Sequence, residues 1–358
     1  MKSRRPSQES AASTDPMPEP EERSAEADHD HDFLADFVSG LPGDSPRIVA
    51  ALERVKDVYV PCGRETLLKK EFDMFLQMIS ARRNGKRDEG RCFFVTGESG
   101  AGKTEIVKNL IAKYPKLQKR KMSYGTVQPL ISIKLQGPVI LKTLGWNILR
   151  AAGYPVKQGL EKHNTWDILP QQLHHRNVMI IHIDEPQHLL TNTEANQERK
   201  NVAKAFKGVM NNPDWPVSFI LSGMPETNEL AIKDEQIERR NWFFTLEDVD
   251  MPDERHLVIK IISELAGSVS INATEVSASD VPDRVAHAAR YRYGRIAQVV
   301  LSAIHVALTK GAVALERNHF VEAYLLHSQA RGQDDMNPFL RADWRNLPQG
   351  LFMIETVK

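Results

Sequence analysis

The sequence predicts an α/β fold in which helices cover both faces of a parallel sheet. Short apolar runs alternate with helical patterns, which is typical of parallel strands joined by crossover helices. After Pro252 only helical patterns follow, so a small all-helical domain is expected behind the sheet domain. The apolar runs are Cys92–Val95, Leu130–Ile133, Val178–Ile183 and Val217–Leu221.

Helices are predicted where apolar residues recur at helical spacing. The first begins at Ser45–Pro46, where a capping residue precedes a proline suited to the first helical position. A second begins near Glu65, and a polar turn from Arg82 to Gly90 ends it. The others are expected from Lys103 and over about 139–152, 196–210, 253–266, 279–290, 295–309 and 317–329.

Charge and composition divide the 358-residue chain further. Residues 1–32 hold nine acidic and four basic residues, whereas the remainder holds 43 basic and 38 acidic, so the folded part is mildly basic. A segment with so few large apolar groups cannot offset the entropy of ordering. We therefore expect a disordered acidic tail over 1–44, a sheet domain over 45–250, a helical domain over 251–331 and an extended tail over 332–358.

Several classes of protein are disfavoured. No apolar stretch approaches the ~20 residues of a spanning helix, and the N-terminus lacks the apolar region of a signal peptide, so we expect a cytoplasmic protein without a membrane partner. The two cysteines, Cys62 and Cys92, are too few for a disulfide framework and lack metal-ligand spacing.

The strongest motif follows the first apolar run and reads Gly97-Glu98-Ser99-Gly100-Ala101-Gly102-Lys103-Thr104. It fits the phosphate-binding pattern G-x-x-x-x-G-K-[ST] and lies between a strand and a helix, as that pattern requires. Glycines let successive N–H groups turn toward phosphates, and the helix adds its positive N-terminal end. Lys103 is expected to reach the β- and γ-phosphates of ATP, and Thr104 to bind Mg²⁺.

A second motif is the buried strand that ends in Asp184-Glu185. Paired with the phosphate loop, it predicts that Asp184 holds Mg²⁺ and that Glu185 polarises the attacking water. His182, inside this strand, is interpreted as a packed core residue rather than a catalytic group.

Two further side chains are candidates with open alternatives. Ser222 ends a strand expected to lie beside the phosphate-loop strand. Its hydroxyl either contacts the γ-phosphate or the water, or satisfies a backbone group at the strand end. Arg295, which opens a helix of the C-terminal domain, is a candidate γ-phosphate contact.

At these motifs the sequence resembles the AAA+ ATPases, and within them the TniB/TnsC group of bacterial transposition regulators. The resemblance covers about residues 45–310. Its motifs are Val95–Thr104, Ile183–Leu190, Leu221–Glu226, Ile237–Arg240 and Tyr59–Arg64, the last matching a segment near the adenine pocket.

The resemblance implies an ATP-dependent homo-oligomer, ring or filament, that assembles on double-stranded DNA and recruits or activates a transposase, with a target-selection protein as a further partner. It also implies that Arg239 or Arg240 is an arginine finger reaching a neighbouring subunit's nucleotide, the alternative being a solvated or ion-paired surface. Lys134, Lys142 and Thr143 are weak candidates for DNA contacts.

Three functions remain open: a DNA-associated regulator of transposition, another AAA+ ATPase or loader such as a secretion- or replication-associated one, and a nucleotide-gated scaffold that barely hydrolyses ATP. Two features fit either a partner or an ordinary surface. Basic clusters at Arg82, Arg83, Lys86 and Arg87, and at Lys116, Lys119, Arg120 and Lys121, are interpreted as solvated. The apolar residues Pro338, Phe339, Leu340 and Trp344 either dock on a transposase or pack onto the helical domain.

Overall fold

The computed structural model describes residues 32–123, 125–154, 162–189, 195–232, 241–327 and 334–350. The chain divides into two compact units, one ending at Asp57 and the other beginning at Val58. The sheet and the C-terminal helices therefore belong to one unit, whereas the helix that begins at Ser45 belongs to the other.

The first unit corrects the expected disordered tail at its end. Residues 32–39 form helix α1, and helix α2 spans Ser45–Asp57 as the capping signal predicts. Phe33, Leu34 and Phe37 recur at helical spacing, and the rings of Phe33 and Phe37 stack with 6.5 Å between centroids. These apolar groups begin where the acidic composition ends, which is why the tail prediction fails from residue 32.

The second unit contains a five-stranded parallel sheet in the order β6-β7-β8-β3-β9. All four predicted apolar runs are strands, and a fifth strand at Trp242–Leu246 lies beside the phosphate-loop strand. The strands are β3 (Cys92–Gly97), β6 (Leu130–Lys134), β7 (Ile180–Asp184), β8 (Ser218–Gly223) and β9 (Trp242–Leu246).

Strand register brings the chemically important residues to one edge. Asp184 pairs with Ser222 across β7 and β8, and Thr96 pairs with Gly223 across β3 and β8. Because parallel strands end at the same edge of a sheet, the segments after β3, β7 and β8 meet there. We call this the carboxyl edge of the sheet.

Helices cover both faces, as the alternating pattern predicts. Phe94, Ile181 and Leu221 pack on one face with three helices, and Phe93, Val95 and Ile220 pack on the other with two. The first group is α5 (Leu141–Ala151), α6 (Lys162–His175) and α7 (Ala195–Met210); the second is α3 (Gly63–Ser80) and α4 (Lys103–Ala112). Helix α6 was not predicted, and a short helix α8 spans Glu229–Ile232.

Two small antiparallel hairpins lie outside the sheet. The first, β1 (Arg82–Arg83) with β2 (Lys86–Arg87), lies within the expected polar turn after α3. Its two central residues, Asn84 and Gly85, have φ values of 53° and 79°, as hairpin turns of the Asn-Gly type require. The second pairs β4 (Arg120–Met122) with β5 (Gly125–Val127).

The C-terminal region is helical, as predicted after Pro252. Its buried side chains form a separate apolar interior, with Ile261, Val285, Ile296, Ile304 and Phe320 each at most 1% exposed. The helices are α9 (Arg255–Gly267), α10 (Thr274–Ala278), α11 (Val281–Ala288), α12 (Tyr293–Thr309) and α13 (Arg317–His327).

The segment after α13 is not extended over residues 334–350. Phe339 is fully buried against the rings of Phe320 and Tyr324, and Trp344 lies edge-on to His287 at 5.2 Å. This is the second of the two alternatives for the tail, packing onto the helices. Burial of these large apolar side chains against the neighbouring helices removes them from water, which stabilises the packed segment relative to an extended one.

The described residues include no helix that is long and apolar enough to cross a membrane.

Replacement of Phe339 by alanine should lower the free energy of unfolding by about 3 kcal/mol, because it leaves a cavity beside Phe320 and Tyr324. The neighbouring Leu340 is 48% exposed, and Leu340→Ala should change stability by no more than about 0.5 kcal/mol. Urea unfolding followed by tryptophan fluorescence measures both. Equal midpoints for the two variants would contradict the packing of this segment.

Candidate nucleotide-binding site

The glycine-rich loop lies at the carboxyl edge, between β3 and α4. Gly100 and Gly102 have φ values of 85° and 90°, in the left-handed region that side chains rarely adopt. Neighbouring groups also exclude a side chain there: a Cβ on Gly100 would lie 2.6 Å from Arg295 Cγ. The loop backbone thus takes the turns that a phosphate cradle needs, and α4 begins at Lys103 directly behind it.

Lys103 lies within this loop and is 6% exposed. Its Nζ donates to the carbonyl oxygens of Gly97 and Glu98 at 2.9 and 3.0 Å. Burial lowers the pKa of Lys103, and the negative charges of Glu185 and Asp184 oppose this effect. A nucleotide bound in the loop would place its phosphate oxygens near the Lys103 ammonium group, where they would replace the carbonyl oxygens of Gly97 and Glu98 as its partners.

Asp184 is held from two sides at the end of β7. Thr104 Oγ1 donates to one carboxylate oxygen at 3.0 Å, and Ser222 Oγ donates to the other at 2.7 Å. Asp184 is only 3% exposed, so these two donors compensate for the loss of water around its carboxylate. Threonine and aspartate are thus brought together as the motif predicted, whereas the Ser222 hydroxyl has a partner that neither earlier alternative included.

The hydrogen-bond chain continues through His182. Its Nε2 lies 2.8 Å from Ser222 Oγ, and its Nδ1 lies 2.7 Å from Ser132 Oγ. Because the Ser222 proton goes to Asp184, Nε2–H must donate to Ser222, and Nδ1 accepts from Ser132. Burial lowers the pKa of His182 to about 4, although Asp184 opposes the shift, so the ring is neutral near pH 7. His182 is a core residue as interpreted, but one that supports the Asp184 carboxylate through Ser222.

Glu185 follows with a left-handed backbone, at a φ of 61°. Its N–H donates to Ser222 O at 2.8 Å, and its carboxylate accepts a hydrogen bond from the Gln187 amide. Left-handed glutamate is uncommon, and such strain persists only where surrounding bonds impose it. The carboxylate of Glu185 is therefore positioned by both strand-end geometry and Gln187.

The start of α12 lies against the glycine loop. The backbone N–H of Arg295 donates to Gly100 O at 3.2 Å, and Arg292 donates to Ser99 O and Glu98 Oε2 at 3.0 and 3.2 Å. Burial, with Arg292 and Arg290 nearby, lowers the pKa of Arg295. Arg295 is near the loop as predicted, whereas the equally close Arg292 was missed.

The segment resembling an adenine-pocket motif also contacts this region. The Tyr293 hydroxyl donates to Val60 O, Lys260 Nζ donates to Pro61 O at 3.2 Å, and the Tyr293 ring lies against Gly102. Val60 and Pro61, within this segment, therefore contact the C-terminal helices. Tyr293 had no signal of its own, since a single tyrosine at a helix start fits many roles.

Of the other candidate residues, the structure describes three and leaves out two. Arg239 and Arg240 fall outside the described residues. Lys134 is exposed at the end of β6, and Lys142 and Thr143 are partly exposed on the first turn of α5. The Lys142 ammonium lies 4.8 Å from the centroid of the Trp146 ring.

The residues present fit a magnesium nucleotide. The cradle of Gly100 and Gly102 leaves backbone N–H groups for phosphates, with Lys103 as the cation. Within the described residues, no cluster of three or more His, Cys, Asp or Glu side chains could hold a metal ion. Thr104 and Asp184 would instead be the few protein ligands that Mg²⁺ commonly takes together with phosphates and water.

Comparison with known families agrees with this geometry. Residues 86–231 match the family model described as "AAA domain". This part of the chain is therefore similar to an AAA domain. No protein with a curated functional description matches the sequence.

Solved structures of low sequence identity share the fold of this chain. Cdc6p from Pyrobaculum aerophilum aligns with a TM-score of 0.54 at 13% identity, covering 76% of this chain and 70% of that one. ORC1 of Aeropyrum pernix, solved in complex with DNA, gives 0.51 at 15%, covering 81% and 72%. ORC2 of the same organism, solved with ADPNP and ADP, gives 0.52 at 15%, covering 78% and 73%. These comparisons confirm the predicted fold class, a P-loop AAA+ sheet followed by a helical region.

The buried His182 should make stability depend on pH. Its pKa is about 4 when folded and 6.5 ordinarily, so the unfolded chain binds more protons between these values. This contribution is fully present above pH 6.5 and is lost as pH falls toward 4, with a slope of at most about 1.4 kcal/mol per pH unit. Urea unfolding across this window should show a shallower loss for His182→Gln than for the parent.

The exposed His256 supplies the matched control, and His256→Gln should follow the parent curve. A His182→Gln curve parallel to that of the parent would contradict the neutral, hydrogen-bonded imidazole.

Proposed function

We propose that this protein is an ATPase that hydrolyses ATP to ADP and phosphate with Mg²⁺. One observation carries the proposal: the Asp184 carboxylate is shared by Thr104 and Ser222 beside Lys103, at the edge where Glu185 follows Asp184. This arrangement joins a phosphate-binding cation, a metal-binding pair and a carboxylate base in one place. The AAA domain is the setting in which such a set of residues hydrolyses a nucleotide.

Each side chain then has a defined role. The loop N–H groups and Lys103 bind the phosphates, while Thr104 and Asp184 hold the metal ion, which neutralises phosphate charge when bound. Glu185 orients the attacking water and accepts its proton. Gln187 donates to one oxygen of the Glu185 carboxylate, Oε2, and so positions this group, whose other oxygen can accept the proton of the water.

We further propose that ATP binding assembles copies of the chain on double-stranded DNA, and that hydrolysis reverses the assembly. The motifs shared with the TniB/TnsC group support this role in transposition, with a transposase and a target-selection protein as partners. Cdc6p and ORC1 share the fold, and the ORC1 structure contains DNA. Arg239 or Arg240 is proposed as the residue that reaches a neighbouring subunit's nucleotide.

A second candidate is another ATPase or loader that uses the same site for a different partner. The fold shared with Cdc6p and the ORC proteins is compatible with it. A third is a nucleotide-gated scaffold with little turnover, which the presence of Lys103, Asp184 and Glu185 disfavours. Measurements of turnover and of DNA-dependent assembly separate the three.

Substitution of Glu185 by glutamine should leave ATP binding intact and lower turnover by about 100-fold or more, since the base that activates water is removed. Lys103→Ala should abolish ATP binding. Phosphate release and ATP binding by equilibrium dialysis measure the two effects.

The matched control is Glu226→Gln, which changes an exposed glutamate after the neighbouring strand β8 and should hydrolyse ATP like the parent. If Glu185→Gln also hydrolysed ATP at the parental rate, the catalytic assignment would be wrong.

Sedimentation of the full chain with random-sequence duplex DNA tests the proposed switch. Large assemblies are expected with ATP, and Glu185→Gln should trap them, whereas ADP or no nucleotide should leave small species. An ATP-hydrolysing protein that stays small and ignores DNA would exclude the transposition role and favour the second candidate.

A further inference from the structure

The edge of the sheet opposite the nucleotide site is unusually basic. The hairpin β1–β2 consists of Arg82, Arg83, Asn84-Gly85, Lys86 and Arg87, so four of its six residues are cationic. The segment leading into and through β4 adds four more. These are Lys116, Lys119, Arg120 and Lys121.

Backbone contacts place both segments at the amino ends of the strands. After the first hairpin, Gly90 N–H donates to Met210 O at 2.7 Å and Arg91 N–H donates to Ser218 Oγ at 3.1 Å, where β3 and β8 begin. After the second, Gln128 N–H donates to Arg176 O at 2.9 Å, just before β6 and β7. We call this set of eight cations the basic edge.

The first hairpin is well fixed at its base. The Arg87 guanidinium carbon lies 5.1 Å from the centroid of the Trp215 ring, and its Nε donates to Ile79 O at 3.4 Å. Burial and the charge of Arg82 lower the pKa of Arg87. A rigid hairpin presents its outer cations, Arg82, Arg83 and Lys86, at low entropic cost to a partner.

The outer cations have no carboxylate partner in the described part of the chain. Arg82, Arg83 and Lys86 are exposed and form no ion pair with another described residue, whereas Lys69, Lys108 and Lys310 each lie beside a carboxylate. Acidic residues are fewer in these two segments: Asp88 and Glu89 follow the hairpin directly, and residues 116–121 include none. Residues 82–89 and 116–121 together hold eight basic and two acidic residues, so positive charge is in local excess.

We infer that the basic edge binds the phosphate backbone of duplex DNA. Hairpin β1–β2 offers arginine forks and an Asn-Gly tip without any large apolar residue, and this composition suits phosphates better than a protein surface. The strands that follow the two segments, β3 and β6, are three spacings apart in the sheet, roughly 14 Å. That separation is comparable with the width of about 12 Å of the major groove, so phosphates on both sides of a groove are within reach.

This inference rests on the proposed DNA association but names a surface different from Lys134, Lys142 and Thr143. Those residues lie at or beyond the carboxyl end of β6, and the basic edge lies at the amino ends of the strands. A five-residue strand separates the two surfaces by roughly 17 Å.

The test measures duplex affinity of the ATP-bound full chain by fluorescence anisotropy between about 50 and 200 mM salt. The triple variant Arg82→Ala, Arg83→Ala and Lys86→Ala should weaken binding at least tenfold and reduce the salt slope by about 2 to 3, near 0.9 for each phosphate contact. ATP hydrolysis without DNA should stay at the parental rate, because these residues lie at the edge opposite the glycine loop.

A matched triple variant, Lys69→Ala, Lys108→Ala and Lys310→Ala, removes the same net charge from exposed positions elsewhere. It should retain the parental slope. A second comparison uses Lys134→Ala with Lys142→Ala, which should change the slope less than the hairpin variant does.

The outcomes separate this inference from the function on which it rests. If the parent binds duplex DNA and the hairpin variant keeps the parental salt slope, the basic edge is not the DNA-binding surface, although the proposed DNA association stands. If the parent fails to bind DNA, both are wrong while the ATPase assignment is untouched. If poly-glutamate competes as well as duplex DNA at equal charge, the edge binds an acidic protein instead, and the inference is overturned.

Discussion

The Asp184 carboxylate is the group around which the site is organised. A buried charge is tolerated only when donors surround it, and here the donors come from two other elements, Thr104 at the start of α4 and Ser222 at the end of β8. Both can reach Asp184 only if β8 lies between β7 and β3, which is the observed strand order. The hydrogen bonds to Asp184 therefore depend on the strand order. If β8 changed places with another strand, the Asp184 carboxylate would lose these donors.

The glycine-rich loop beside Asp184 is also contacted by the C-terminal helical region. Arg292 and Arg295 contact backbone oxygens of Ser99 and Gly100, and Tyr293 lies against Gly102. All three residues lie at or next to the first turn of α12, so a small rotation of that helix changes several loop contacts together. On the proposed function, phosphates bound in the loop compete for this same space. Nucleotide state would thereby bias the orientation of the C-terminal helices, which is a differential contact of the kind that switching requires.

The sequence predicts those features whose signals are local. Buried strands such as Ile180–Asp184 and the glycine pattern before Lys103 can be identified from a few adjacent residues. Strand β9 was missed because its apolar run, Trp242-Phe243-Phe244, is only three residues long, and Phe243 is 43% exposed on an outer strand. Helix α6 carries an internal proline, Pro170, which weakens its pattern. The chain from Ser132 through His182 to Ser222 joins three strands distant in sequence, and only their register brings it together.

The proposed nucleotide and DNA sites lie at opposite edges of the sheet, which limits how one can affect the other. The intervening strands are fully buried and close-packed, and such interiors deform little. We therefore do not expect a conformational change at Glu185 to be transmitted through the sheet to the hairpin of Arg82 and Arg83. The proposed assembly would offer another route, because several linked copies that engage one duplex bind it far more strongly than one copy does. On this argument ATP controls DNA binding through the number of joined subunits, and each basic edge itself stays unchanged.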